Sequence, residues 1–178
     1  DGRWIAFSSN RDGDFNVYLI PAAGGEARQV TWHSADDFVA DWSPDGSHIL
    51  FTSARNGRFP DLYSIGVADG SLRRLTSDRT ASRYGAFLPD GKSVVYVRGG
   101  QAWWRPAYRG SQNTDLYRLS LADGKTLRLT RTDGFESWPM PTPDGQWIYF
   151  VAHRYGASNI WRMPASGGDA VEVTSHTG

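Results

Sequence analysis

The densest chemistry in this chain lies between Gly99 and Asp115, in the stretch GGQAWWRPAYRGSQNTD. Trp103, Trp104 and Tyr108 offer flat apolar area, and Arg105 and Arg109, with Arg98 just before the stretch, offer planar guanidinium forks. Rings and forks together suit a peptide, whose carboxylate or carbonyls accept charge-assisted hydrogen bonds, or another domain or subunit of the same protein. A structural role is the first alternative. Neighbouring side chains on an extended segment point oppositely, so one tryptophan can cap the fold while Arg105 stacks on a ring.

No other constellation reads as a catalytic centre. There is no G-x-S-x-G elbow and no Ser–His–Asp order. His33, His48, His153 and His176 are scattered without metal-ligand spacing. DGDFN carries Asp12, Asp14 and Asn16 at the spacing that opens a calcium loop, but lacks the required glycine and closing glutamate, so it reads as a turn. The chain has no cysteine, which excludes disulfides and Cys-ligated metals. Neither metal nor cofactor is expected. Nineteen basic and nineteen acidic residues cancel, so a nucleic-acid footprint is not expected. No apolar run is long enough for membrane insertion.

The elements that position these residues are repeats. Asp-Gly opens an alternating apolar stretch at Asp1, Asp45, Asp90 and Asp144, giving RWIAFSS, SHILFTS, KSVVYVR and QWIYFVA. Ile5 and Phe7, Ile49 and Phe51, Val94 and Tyr96, and Ile148 and Phe150 recur with the period of a strand. Each stretch is followed by NVY, DLY, DLY or NIW, beginning at Asn16, Asp61, Asp115 and Asn159. A glycine turn and a short strand ending at Thr31, Thr76, Thr130 or Thr174 close the unit.

The chain therefore reads as all-β. It is a β-propeller of four-stranded antiparallel blades, with repeats at about 1–31, 32–76, 77–130 and 131–174 and no second domain. The first repeat lacks its innermost strand, which gives 15 strands. The expectation is a portion of a larger ring, trimmed at both ends, whose open blade faces would tend to associate.

Arg11, Arg55 and Arg154 stand five or six residues before Asn16, Asp61 and Asn159. The expectation is a charge-assisted bond across each turn, tying loop to strand. The third repeat is 9–10 residues longer than its neighbours and has Gly100 where the others have this arginine. Arg109, six residues before Asp115, resumes the role in this reading. Because strands alternate in direction, the insert opens on the face that carries the crossovers between blades, with the charged and aromatic residues Trp32, Asp36, Asp37, Arg79, Arg83, Phe135, Glu136 and Trp138.

The repeat WSPDGSHILFTSARNG…DLY…G…RRLT resembles the TolB-type, PD-containing propeller repeat over essentially the whole chain. The third blade, through Trp104, Tyr108, Arg109, Gly110, Asp115, Leu116 and Tyr117, is most similar to the N-terminal propeller of tricorn-type serine peptidases. Pro106 and Pro141 depart from that pattern. The resemblance implies a large oligomeric parent enzyme whose catalytic residues lie outside this segment. The segment itself would filter or admit peptides, or pack the assembly. A TolB-like protein-interaction propeller and the propeller lid of a prolyl-oligopeptidase-like hydrolase remain alternatives. The compartment is then the cytoplasm or the periplasm of a prokaryote.

Overall fold

The computed structural model describes residues 2–100, 105, 108, 110 and 112–177. They form strands and turns only. Blade 1 holds β1 (Trp4–Ser9), β2 (Asn16–Pro21) and β3 (Arg28–Gln29); blade 2 holds β4 (Asp37–Trp42), β5 (His48–Ser53), β6 (Asp61–Gly66) and β7 (Leu72–Arg74). Blade 3 holds β8 (Ser82–Phe87), β9 (Ser93–Arg98), β10 (Asp115–Ser120) and β11 (Thr126–Arg128). Blade 4 holds β12 (Glu136–Pro141), β13 (Trp147–Arg154), β14 (Ala157–Pro164) and β15 (Val171–Glu172). Every sheet is an antiparallel meander, with one three-stranded and three four-stranded sheets. The chain is a β-propeller segment. Among the described residues no helix is long and apolar enough to cross a membrane.

The strands form where the sequence alternates, and the Asp-Gly turns fix their register. Asp45 accepts the Ser47 amide at 3.0 Å and the Ser43 hydroxyl at 2.6 Å, while Gly46 takes the left-handed backbone (φ 70°) that closes the turn. Ile49 and Phe51 face Val17, Leu19 and Val30 of blade 1, and Leu50, one residue out of phase, faces Phe87, Val94 and Tyr96 of blade 3. Val95 and Val97 continue the pattern against Ile148, Phe150 and Trp161 of blade 4. The core is therefore three apolar layers between blades. A strand in an inner blade is buried on both faces, as Ile49, Leu50 and Phe51 are.

The recurring threonines pin the outermost segments. Thr76 Oγ1 donates to Asp61 Oδ1 at 3.0 Å and accepts from the Leu62 amide at 3.0 Å. Thr31 does the same for Asn16 and Val17, and Thr174 for Asn159 and Ile160. Thr130 accepts from the Leu116 amide but donates to Glu136 of the next blade instead of to Asp115. Pro139 and Pro141 are accommodated because β12 is an edge strand, and Pro141 still pairs with Ile148.

Candidate functional site

The first strands β4, β8 and β12 are each the edge of their sheet and lie side by side across three blades, so they form the wall nearest the propeller axis. Each is interrupted by a bulge, between Val39 and Asp41, Arg83 and Ala86, and Ser137 and Met140. Bulges re-aim side chains. In β8 and β12 the bulge carries an aromatic residue in left-handed backbone, Tyr84 at φ 52° and Trp138 at φ 50°. That conformation costs a non-glycine residue roughly 1–3 kcal/mol.

The two rings meet at 5.4 Å with a 51° tilt, and both are partly exposed, Tyr84 at 38% and Trp138 at 44%. Phe135, buried behind them, sets its ring edge-on to Trp138 at 6.1 Å. Gly85 explains how Tyr84 is seated. A Cβ there would lie 2.7 Å from Leu50 Cδ2 and 3.1 Å from both δ-carbons of Leu62, so only glycine lets the bulge close onto blade 2.

The aromatic corner lines a cavity of about 1370 Å³. Asp14, Asp36, Asp41, Arg58 and Arg83 supply its charges, and Phe38 adds a third exposed ring, packed on Phe15 at 5.2 Å. Asp41 accepts the Phe87 and Trp42 amides, both at 2.8 Å; burial pushes its carboxyl above the usual range, while those bonds pull it back. It thus joins the first strands of blades 2 and 3. Asp36 accepts the Phe15 amide at 3.1 Å. Because Ser34–Asp36, Ala54, Arg58 and Pro60 also line the cavity, it opens on the crossover face.

The arginine ties differ from the sequence expectation. Arg55 donates to Asp37 of β4 at 2.5 Å, not to Asp61, and Arg154 donates to Glu136 of β12 at 2.7 Å, not to Asn159. Arg11 donates to Ser9 and stacks over Phe7 and Tyr18, at 5.2 and 4.8 Å, with no bond to Asn16. The reason is demand. Asp37 and Glu136 are wholly buried and need a countercharge, whereas Asp61 is already held by Arg74 at 2.6 Å and by Thr76. Asp115 is likewise held by Arg128 at 2.6 Å, and Asn16 and Asn159 accept the backbone amides of His33 and His176.

In blade 3, Arg98 occupies the aromatic slot that Arg55 and Arg154 occupy in blades 2 and 4. It stacks over Tyr117 at 5.2 Å and pairs with Asp78 at 3.1 Å. Arg98 lies at the end of an apolar strand, outside the spacing that relates Arg11, Arg55 and Arg154, so the sequence marks it as a guanidinium fork and only the shared aromatic slot marks it as their counterpart.

Of the insert residues, Trp103, Trp104 and Arg109 lie outside the described residues. Arg105 stacks over Tyr108 at 5.4 Å, and the Tyr108 amide bonds to the Arg105 carbonyl at 3.0 Å. The link between the second and third strands runs over 54–60 in blade 2 and over 99–114 in blade 3. Its ends are fixed to the crossovers on either side: the Gly99 amide bonds to the Ala81 carbonyl at 2.9 Å, Thr80 Oγ1 to Gln112 at 3.1 Å, and Asn113 to the Thr132 carbonyl. Asp12 accepts from the Tyr18 hydroxyl at 2.7 Å, while Asn16 Oδ1 accepts the His33 amide and Asn16 Nδ2 donates to the Asp14 carbonyl at 3.2 Å.

This propeller segment, with its aromatic axial cavity, matches the model of the tricorn protease N-terminal β-propeller domain over residues 1–122, and the chain belongs to that family. Dipeptidyl-peptidase 5 of Porphyromonas gingivalis is 30% identical over 84% of this chain and 22% of its own length. The Tol-Pal system protein TolB of Bordetella pertussis is 28% identical over 93% of this chain and 36% of its own. The chain therefore spans well under two thirds of these relatives. The solved structure of a putative TolB from Agrobacterium tumefaciens superposes with a TM-score of 0.83 at 23% identity, covering 97% of this chain and 61% of that one.

Proposed function

We propose that this chain is a non-catalytic propeller portion of a tricorn-like serine peptidase, and that its axial cavity faces peptides entering or leaving the enzyme. The observation that carries this reading is the family match over 1–122, together with a cavity whose wall is edge strand, aromatic ring and arginine. Edge strands offer unpaired main-chain groups, and rings and guanidinium forks complement peptide side chains and carboxylates. The peptidase among the relatives supports a hydrolase context.

A fluorophosphonate probe, which labels activated serines, tests the reading on the complete gene product. Labelling outside residues 1–178, coupled to hydrolysis of short peptides, is the expected result. An unlabelled product without peptidase activity would support the second reading. In that reading the segment is a periplasmic protein-interaction propeller, as its likeness to TolB of Bordetella pertussis over 93% of the chain suggests.

A further inference from the structure

We propose that Tyr84, Trp138 and Arg83 form a subsite for a short peptide, the two rings receiving an apolar ring-bearing side chain and Arg83 the peptide's C-terminal carboxylate. The proposal rests on the reading of the axial cavity as peptide-facing, and adds which end and which side chain it selects.

Strained backbone is the first support. Three non-glycine residues among those described have positive φ. Tyr155 is accounted for by its hairpin: with Gly156 it makes the two-residue link between Arg154 and Ala157, where both central residues need positive φ. Tyr84 and Trp138 lie in no hairpin. They occupy equivalent bulges in adjacent blades, and the distortion turns both rings toward one space. Such strain persists where the surroundings over-determine it, and it clusters at ligand clamps.

Charge is the second. Arg11, Arg55, Arg98 and Arg154 each stack on rings of their own blade, and the last three are ion-paired. Arg83, next to Tyr84 and lining the same cavity, is exposed and makes no side-chain hydrogen bond or ion pair among the described residues. A guanidinium left open beside two half-exposed rings complements a carboxylate adjoining an aromatic or prolyl side chain. Asp14 and Asp36, from the blade 1 hairpin and the crossover into blade 2, give the opposite polarity to an ammonium group.

Size and backbone fit a peptide better than a compact metabolite. About 1370 Å³ exceeds the roughly 300–1,000 Å³ of pockets for drug-sized molecules. The wall is built from the free edges of β4, β8 and β12, which can bond an extended main chain.

Calorimetric titration of the 178-residue chain with Ala-Ala-Pro-Phe, its C-terminal amide and tetra-alanine tests the proposal. The free acid should bind about tenfold more tightly than tetra-alanine, an advantage that Trp138→Ala removes and Trp138→Phe largely keeps. Arg83→Gln should abolish the preference for acid over amide while leaving the preference for a ring. Tyr84→Gly relieves left-handed strain, so it should hold or raise the thermal midpoint while weakening peptide binding, which separates binding from folding. Equal affinity for all three peptides, no binding, or full affinity in Tyr84→Gly and Trp138→Ala would overturn the subsite. Failure here leaves the peptidase reading to fluorophosphonate labelling, which these substitutions do not touch.

Discussion

Arg55 reaches from the loop after β5 to Asp37 at the start of β4, 2.5 Å away, lying over Phe51 and Tyr63 on the way. Its side chain is 10% exposed and that of Asp37 is fully buried. Removing one partner of such a pair leaves an uncompensated buried charge. Arg55→Ala should cost about 3–5 kcal/mol in denaturant unfolding, and the double variant Arg55→Met with Asp37→Leu should recover most of it. A single-variant loss no larger than that of an exposed pair would show that Asp37 is not held by this contact.

Asp115 makes stability pH-dependent in an unusual direction. Burial pushes its carboxyl up to about 6, against the pull of Arg128, with the Glu136 charge raising it further. A folded-state value above the ordinary 3.8 means that the folded chain binds the proton more tightly. The contribution of Asp115 is therefore most favourable at low pH and is lost as pH rises from about 4 to 6. Asp115→Asn should remove that component, since asparagine already occupies the position in blades 1 and 4, at Asn16 and Asn159. Subtracting its pH–stability curve from that of the parent should leave a decline across this window. A flat difference would contradict the raised value.

Gly85→Ala probes the seat of the aromatic corner. The added methyl would press on Leu50 and Leu62, both buried side chains of the neighbouring blade. A cost of about 1–3 kcal/mol is expected, together with weaker peptide binding as the bulge shifts. Unaltered stability and binding would show that Tyr84 is not positioned from beneath.

The blade plan was legible in the sequence because it is local. Asp-Gly turns, alternation and the Thr that closes each unit lie within a few residues of what they shape. The arginine partners were not legible for the opposite reason. Asp61 is six residues from Arg55 in sequence, but Asp37, eighteen away, is the buried group without another countercharge. The aromatic corner was legible only in part: Arg83, Phe135 and Trp138 fall among the charged and aromatic residues of the crossover face, but nothing local shows that bulges bring Tyr84 and Trp138 together. Only Gly85 and Pro139 mark the bulges, and neither reveals that the preceding ring turns toward the axis.

The central claim, that this propeller meets peptides at its axis, is most directly tested by the indole N–H resonances of the 178-residue chain, which has eight tryptophans. Assigned by Trp138→Phe and followed during titration with Ala-Ala-Pro-Phe, the Trp138 signal should shift progressively. Trp32, exposed on the crossover loop, and Trp147, stacked under Arg162, should stay still. Movement of Trp32 or Trp147 with a stationary Trp138, or no movement at all, would contradict the account.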